Sequence, residues 1–283
     1  MSGSLAPTGL ARRSRRLTDQ ETEQRMLAAA ARMISSTGLT VSLEHISLEE
    51  VIREADVSRS TVYRRWPHKD LFFSDLVREL ARNATPTILA EEQQLIGRVA
   101  AQRPDWLETA EQRQALVAEL FRQLSLLDFQ TLSGSPAWRT YLALHATFLS
   151  LTDEELRRQV QAALAESERA HIASVARAWQ QLCGLLGYRL RPELGATFED
   201  IAAVLDATMR GLVIMALSMP ELASQRTSAR PFAAASTAEW SLPALALAGI
   251  GSAFIEPDPS VTWDTERIAA VAQALTALAL PPG

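Results

Sequence analysis

The segment that decides the fold is residues 47–80, SLEEVIREADVSRSTVYRRWPHKDLFFSDLVREL. The Ser47-x-x-Glu50 pattern at its start is typical of a capping box and predicts a short helix. After about four further residues, a second short helix is predicted from Ser58 to Trp66, and another helix begins at Lys69. Two short helices at this separation are typical of a helix-turn-helix, whose second helix enters the major groove of DNA.

The second helix of this pair has a composition that suits contact with DNA. It carries three arginines and no acidic residue. Arginine can bond guanine through two hydrogen bonds, and Ser, Thr and Tyr hydroxyls can bind phosphate oxygens. The sequence therefore predicts that Arg59, Ser60, Tyr63 and Arg64 face bases and phosphates. A half-buried Tyr63 that only supports the helix is the alternative.

These residues resemble the signature of the TetR family of transcriptional regulators, Ile-Ala-x-x-Ala-Gly-Val-Ser-x-Gly-Thr-Leu-Tyr-x-x-Phe-x-x-Lys-x-x-Leu. The chain has Val51-Ile52-x-x-Ala55-Asp56-Val57-Ser58-x-Ser60-Thr61-Val62-Tyr63-x-x-Trp66-x-x-Lys69, and the similarity covers about residues 18–82. Asp56 replaces a glycine of the signature, and Ile52 replaces a small alanine. In the tail, Asp70-Leu71-Phe72, the leucine comes one place early.

The resemblance implies contacts for individual residues. Contacts with DNA phosphates are expected from Ser47, Thr61, Tyr63 and Lys69. Lys69 is the only lysine of the chain. The predicted DNA-binding set as a whole is Ser47, Arg59, Ser60, Thr61, Tyr63, Arg64, Arg65 and Lys69. The family also implies a homodimer on an inverted-repeat operator in double-stranded DNA, repression of transcription, and release by a small-molecule effector.

Composition predicts an all-α protein. Hydrophobic residues make up 47% of the 283 residues, and the chain is rich in Ala and Leu while Tyr and Phe are sparse. We expect a flexible basic arm at residues 1–17 and a three-helix helix-turn-helix DNA-binding domain at residues 18–82. A larger helical domain for effector binding and dimerisation should follow at residues 83–283. Residues 1–82 have a net charge of +2 and the remainder has −7, as suits a protein that touches DNA with one end.

The N-terminal residues bear on localisation as well as on DNA binding. The stretch contains four arginines, Arg12, Arg13, Arg15 and Arg16. This pattern predicts an arm that follows DNA phosphates or enters the minor groove, and a solvated leader is the alternative. The same stretch lacks the apolar segment of a secretory signal. A single cysteine, Cys183, fits a reducing compartment. We therefore expect a cytoplasmic protein without membrane association.

The homodimer surface is predicted in two late helices. Thr197–Met219 and Asp264–Leu280 are long and apolar. A soluble monomer seldom exposes so much apolar side chain, so these helices are candidates for contact with a second copy. The alternative is that both line the core of one subunit.

An effector pocket is predicted from aromatic residues at helical spacing. Trp138, Tyr141, His145 and Phe148 share one helical face, and Trp179 and Cys183 could form the opposite wall. Arg210 could pair with an acidic ligand. The alternatives are that the aromatic stripe is ordinary core and that the head of Arg210 reaches solvent.

Enzymatic functions find little support in the sequence. The chain has no Gly-x-Ser-x-Gly, phosphate-binding loop, dinucleotide fingerprint or His-Glu-x-x-His, and its four histidines are scattered. We therefore predict no catalytic residue, no metal site and no cofactor. The alternatives to an effector-controlled regulator are one controlled by a protein partner or by no ligand, and an enzyme whose N-terminal domain merely resembles a helix-turn-helix.

Overall fold

The computed structural model describes residues 18–37, 47–82 and 89–279, and within these ranges the protein is all-α, as predicted. The predicted arm of residues 1–17 lies outside the described residues. The N-terminal helices are α1 (Asp19–Thr37), α2 (Leu48–Ala55), α3 (Arg59–Arg65) and α4 (Lys69–Arg82).

The starts of the N-terminal helices follow the sequence only in part. Thr18 and Glu21 form a capping box at the start of α1, in which each backbone N–H donates to the other residue's side chain at 2.8 and 3.1 Å. The capping box predicted at Ser47 is wrong, because the Ser47 side chain accepts no hydrogen bond from α2. Ser58 does cap α3, since its hydroxyl accepts from the Thr61 backbone N–H at 3.3 Å.

The turn between α2 and α3 is closed by Asp56. This residue adopts the left-handed conformation, with φ 51° and ψ 51°, at the position where the TetR signature has glycine. The backbone N–H groups of Asp56 and Val57 donate to the carbonyls of Arg53 and Ile52. Asp tolerates this conformation better than most residues, so the turn forms without glycine.

The helical body contains longer helices and two small antiparallel sheets. Its helices are α5 (Leu89–Gln102), α6 (Ala110–Gly134), α7 (Pro136–Ser150), α8 (Glu154–Leu186), α9 (Phe198–Ser218), α10 (Glu221–Ser224), α11 (Leu242–Phe254) and α12 (Thr265–Leu278), with 3₁₀ turns at Pro104–Leu107 and Pro192–Leu194. Its strands are β1 (Tyr188–Leu190), β2 (Arg226–Ala229), β3 (Ala238–Ser241) and β4 (Ile255–Pro257), paired β1 with β4 and β2 with β3.

Residues 220–238, a stretch that contains Ser, Ala and Pro, include regular secondary structure. The stretch contains α10 and β2 and reaches the first residue of β3. Strand β2 is exposed over three of its four residues, so its sequence has no apolar alternation that would indicate a strand.

The N-terminal helices and the body share one core. A continuous cluster of buried side chains extends from Met26 and Phe72 to Trp240 and Leu247. Helix α4 packs against α8 and α7, and α1 packs against α7. A second cluster joins α5, α6 and α12. The predicted domain boundary at residue 82 is therefore crossed by packed side chains.

Helix α9 is the one described helix that is long and apolar enough to cross a membrane by length and composition. It packs against α8, α11 and α6 and carries the charged residues Asp206 and Arg210. Packing of this kind is compatible with a soluble protein.

Candidate DNA-binding face and internal cavity

Helix α3 turns nearly all of its side chains outward. Val62 is its buried residue, and Trp66, immediately after the helix, is also fully buried. The outward side chains include five of the predicted DNA-binding residues, Arg59, Ser60, Tyr63, Arg64 and Arg65. The predicted residues of α3 therefore share one exposed surface.

Each arginine of this surface is paired with an acidic side chain of a neighbouring helix. Arg59 lies 2.8 Å from a carboxylate oxygen of Glu49 on α2. Arg64 pairs with Asp19 at the start of α1. Arg65 lies 3.3 Å from Glu23 on α1. The positive charge of α3 is thus partly neutralised within the protein.

Tyr63 lies at the surface, and the residue is 45% exposed. Its hydroxyl donates to Oε1 of Glu49 at 2.8 Å, and this hydrogen bond, together with desolvation, raises the pKa of the phenol. The inward position that would support the helix is occupied by Trp66 instead.

The remaining predicted phosphate contacts flank α3. Ser47 stands at the N-terminus of α2, and the hydroxyl of Thr61 lies 2.9 Å from that of Ser58. Lys69 is the first residue of α4, and its ammonium lies 4.8 Å from the centre of the Phe73 ring. Lys69 is exposed.

A hydrogen bond that the sequence did not predict ties the end of α3 to α4. The indole N–H of Trp66 donates to Oδ2 of Asp75 at 2.8 Å. The same carboxylate oxygen lies 3.4 Å from Arg65. Trp66 also packs edge-on against Phe72, with ring centres 5.2 Å apart. Any movement of α4 should therefore be transmitted to α3.

The body contains a partly open cavity of about 300 Å³. Helices α5, α6, α8 and α9 provide most of its walls, and α12 contributes Leu278. Most of the lining is apolar, and the rings of Phe121 and Trp179 are stacked there with centres 5.1 Å apart. Size and lining are those of a small-molecule site.

The predicted pocket residues are divided by the structure. Three of the seven, Trp138, Trp179 and Arg210, line the cavity. The other four do not line it, because α7 turns most of its aromatic face toward the core and toward α1. Cys183 borders a separate void of about 20 Å³, and Tyr141 borders a groove beside α1. A ring nitrogen of His145 lies 2.9 Å from the Tyr141 carbonyl oxygen. Phe148 packs against the core.

Arg210 lies inside the body and is already paired. It donates to both carboxylate oxygens of Glu168 at 2.8 and 2.9 Å, and it lies 2.7 Å from Asp206. Only 14% of its side chain is exposed, so the expectation that its head reaches solvent is wrong. Tyr141 completes the network by donating to Glu168 at 2.8 Å.

A second polar group in the cavity consists of Glu92 on α5 and Asp128 on α6, which share a hydrogen bond. Burial raises the pKa of Asp128 well above its ordinary value, and the charge of Glu92 raises it further. Burial also raises the pKa of Glu92. Sequence reasoning missed this pair, although Asp128 interrupts the apolar run LSLLDFQ at 124–130.

The described residues contain no group of three or more His, Cys, Asp or Glu side chains that could hold a metal ion. No protein-family model matches the chain, and no curated protein matches it. The residues themselves therefore carry the functional argument.

Proposed function

We propose that the protein is a TetR-like transcriptional regulator, a cytoplasmic repressor that binds an inverted-repeat operator in double-stranded DNA as a homodimer. The observation that carries the proposal is the surface of α3, where Arg59, Ser60, Tyr63 and Arg64 are all exposed on a helix of seven residues. Lys69 is exposed at the start of the next helix.

The ion pairs on this surface do not prevent DNA binding. Exposed ion pairs contribute only about 0–1 kcal/mol each, whereas each phosphate that is neutralised also releases counterions. Arg59, Arg64 and Arg65 are 41–74% exposed at their side chains. DNA phosphates can thus replace Glu49, Asp19 and Glu23 as partners.

Dimerisation is supported by the exposed apolar side of α9. Val204, Ile214, Met215 and Leu217 are 40–66% exposed, and Met219 follows the helix with 42%. The apolar stripe of α12 is used within the subunit instead, since Val271 and Leu275 are buried against α5 and its neighbours. Of the two helices predicted at the interface, α9 is therefore the better candidate. A two-fold dimer would place its recognition helices roughly 34 Å apart.

Control by a small-molecule effector is supported by the position of the cavity. Helix α8 packs on α4, and its residues His171, Trp179 and Leu182 line the cavity. Helix α4 in turn holds α3 through Trp66 and Asp75. A ligand that moves α8 would shift α3 and spoil the spacing of the two half-sites.

The DNA-binding proposal is tested by selecting binding sites from a random duplex library with the full chain. We expect enrichment of an inverted repeat. Lys69→Ala should then weaken binding to all sequences and reduce the salt dependence, whereas Arg64→Ala should also change a preferred base. Arg157→Ala, an exposed arginine on α8, is the matched control. Selection of no sequence, or variants that bind as tightly as the wild type, would contradict the proposal.

Effector control is tested separately by titrating ligand with and without operator. Because coupling is reciprocal, a ligand that weakens operator binding must itself bind more weakly to the operator complex by the same factor. Equal ligand affinity in both titrations would show that the ligand and DNA are uncoupled, which would overturn the proposed switch and favour a regulator controlled by a protein partner or by no ligand.

A further inference from the structure

The cavity contains a deeply buried carboxylate oxygen without a partner. Oδ1 of Asp128 is buried and makes no hydrogen bond with any residue that the structure describes. An unsatisfied buried acceptor costs about 1–3 kcal/mol, and more when it is charged. Such a group is expected to meet a donor from a ligand.

The charges around the cavity favour a cation. Helices α5, α6 and α9 contribute Glu92, Asp128 and Asp206, and Glu168 lies behind Arg210. Arg210 is the one guanidinium in the described lining, and its charge is already matched by Glu168 and Asp206. A carboxylate ligand would therefore find Arg210 occupied and would be repelled by the acidic groups.

We propose that the cavity binds a hydrophobic ammonium ion, whose N–H group donates to Oδ1 of Asp128. Its apolar body would lie against the stacked rings of Phe121 and Trp179, which also attract a cation through their π faces. The inference rests on the proposed function and deepens it, since it names the chemical class of the effector.

Binding of the ammonium ion displaces a proton. In the empty cavity, burial favours the neutral form of the carboxyl group of Asp128, and its hydrogen bond with Glu92 is made through the proton. The ammonium ion replaces this proton, which passes to solvent, so the charge of the site is unchanged. Affinity should therefore rise as the pH rises.

Other titratable groups face the pair and act on the same balance. Glu91 lies on α5, His171 on α8, and Asp206 on α9, where it lies 3.4 Å from His171. Helix α11 has no charged residue. The charge of Asp206 also raises the pKa of Asp128.

The test measures binding to the full chain without DNA, by calorimetry. The probes are 1-naphthylmethylamine, its neutral analogue 1-naphthylmethanol and the anion 1-naphthoate, extended to a panel of primary amines of one to three rings and their alcohols. At pH 8 we expect an amine to bind about ten-fold or more tightly than its alcohol, as for a charge-assisted hydrogen bond. Titration in two buffers of different ionisation enthalpy should show proton release.

Variants separate the charge of the site from its shape. Asp128→Asn should bring the amine to about the affinity of the alcohol. Glu92→Gln should keep the preference for the amine and weaken its dependence on pH, because loss of the Glu92 charge lowers the pKa of Asp128. Glu166→Gln, an exposed acidic residue on α8, is the control and should leave the preference unchanged. Circular dichroism confirms folding of each variant.

The proposal would be overturned if the alcohol or the naphthoate bound as tightly as the amine, or if no amine of the panel bound. Because DNA is absent, failure here leaves the DNA-binding proposal intact. Conversely, amine binding by a chain that selects no operator would retain the cavity site and remove only the proposed regulation.

Discussion

The surface of α3 and the cavity of the body hold their polar side chains in opposite surroundings. At α3, arginines and carboxylates face solvent, which screens their charges, so each pair contributes little and can be exchanged for another partner. In the cavity, Asp128 is removed from solvent and lies beside Glu92, and both burial and the charge of Glu92 disfavour its charged form. An arginine on α3 can therefore exchange one anionic partner for another at little cost in free energy. An ionised carboxylate in the cavity is costly unless a specific cationic partner is present.

The largest expected effect lies beneath the α3 surface. Trp66 is fully buried and hydrogen-bonded to Asp75, so Trp66→Ala should lower the free energy of unfolding by about 3–5 kcal/mol. Tyr63→Ala, three residues away at the surface, should change it by only about 0.5 kcal/mol. Urea unfolding followed by circular dichroism gives both values. Equal losses would mean that α3 is not anchored by its inward side.

A pair of glycines in α11 tests packing beside the cavity. A Cβ added at Gly251 would lie 2.1 Å from the Phe121 ring, whereas at Gly249 the nearest side-chain atom would be 3.8 Å away. Gly251→Ala should destabilise the protein by about 1–3 kcal/mol through overpacking. Gly249→Ala should instead stabilise it by up to about 1 kcal/mol, because alanine is the better helix former.

Thermal unfolding measures both glycine variants. If Gly251→Ala were as stable as Gly249→Ala, Phe121 would have room to move. The stacked wall of the cavity would then be more adaptable than the structure indicates.

The two regions also differ in how much the sequence could predict. Helices α2, α3 and α4 lie within some 35 consecutive residues, so these helices, the turn at Asp56 and the exposed residues follow from local spacing. The sequence patterns Thr18-x-x-Glu21 and Thr197-x-x-Asp200 likewise correspond to capping boxes in the structure.

The cavity could not be predicted in the same way. Its polar lining comes from four helices spread over more than a hundred residues and includes Glu92, Asp128, His171 and Asp206. Local periodicity does not show which of these helices pack together. The aromatic spacing in α7 identified a real helical face, but only Trp138 on that face reaches the cavity. A single acidic residue within an apolar helix, as at Asp128, was the available signal.

The buried carboxyl of Asp128 should make stability depend on pH. Because its pKa is raised on folding, the stability that it contributes is complete below its ordinary pKa of 3.8 and is lost as the pH rises through the raised value. Asp128→Asn removes this loss. Its melting temperature should therefore increasingly exceed that of the wild type toward pH 8, by about 2–4 °C for each kcal/mol.

The control for this comparison is Asp70→Asn, an exposed residue of α4. The difference in melting temperature between Asp128→Asn and the wild type should grow with pH by more than the difference between Asp70→Asn and the wild type. A constant difference for Asp128→Asn would show that this carboxyl is ionised in the folded protein at all pH values tested.

The smallest expected effect returns to the α3 surface and to Glu49. This carboxylate accepts from Tyr63 at 2.8 Å and lies 2.8 Å from Arg59, so it holds two predicted DNA contacts and would repel a nearby phosphate. Glu49→Gln keeps a group that can accept from Tyr63 and removes the charge. Because an exposed ion pair contributes at most about 1 kcal/mol, operator affinity should rise by no more than about five-fold.

The control is Glu54→Gln, on the same helix, where Glu54 is paired with Arg32 at 3.9 Å. It removes an equal charge away from α3 and should raise the operator affinity less. Fluorescence anisotropy at two salt concentrations measures both variants, and the gain should shrink at the higher salt. If Glu49→Gln instead weakened binding, Glu49 would be orienting Arg59 and Tyr63 for DNA rather than competing with it.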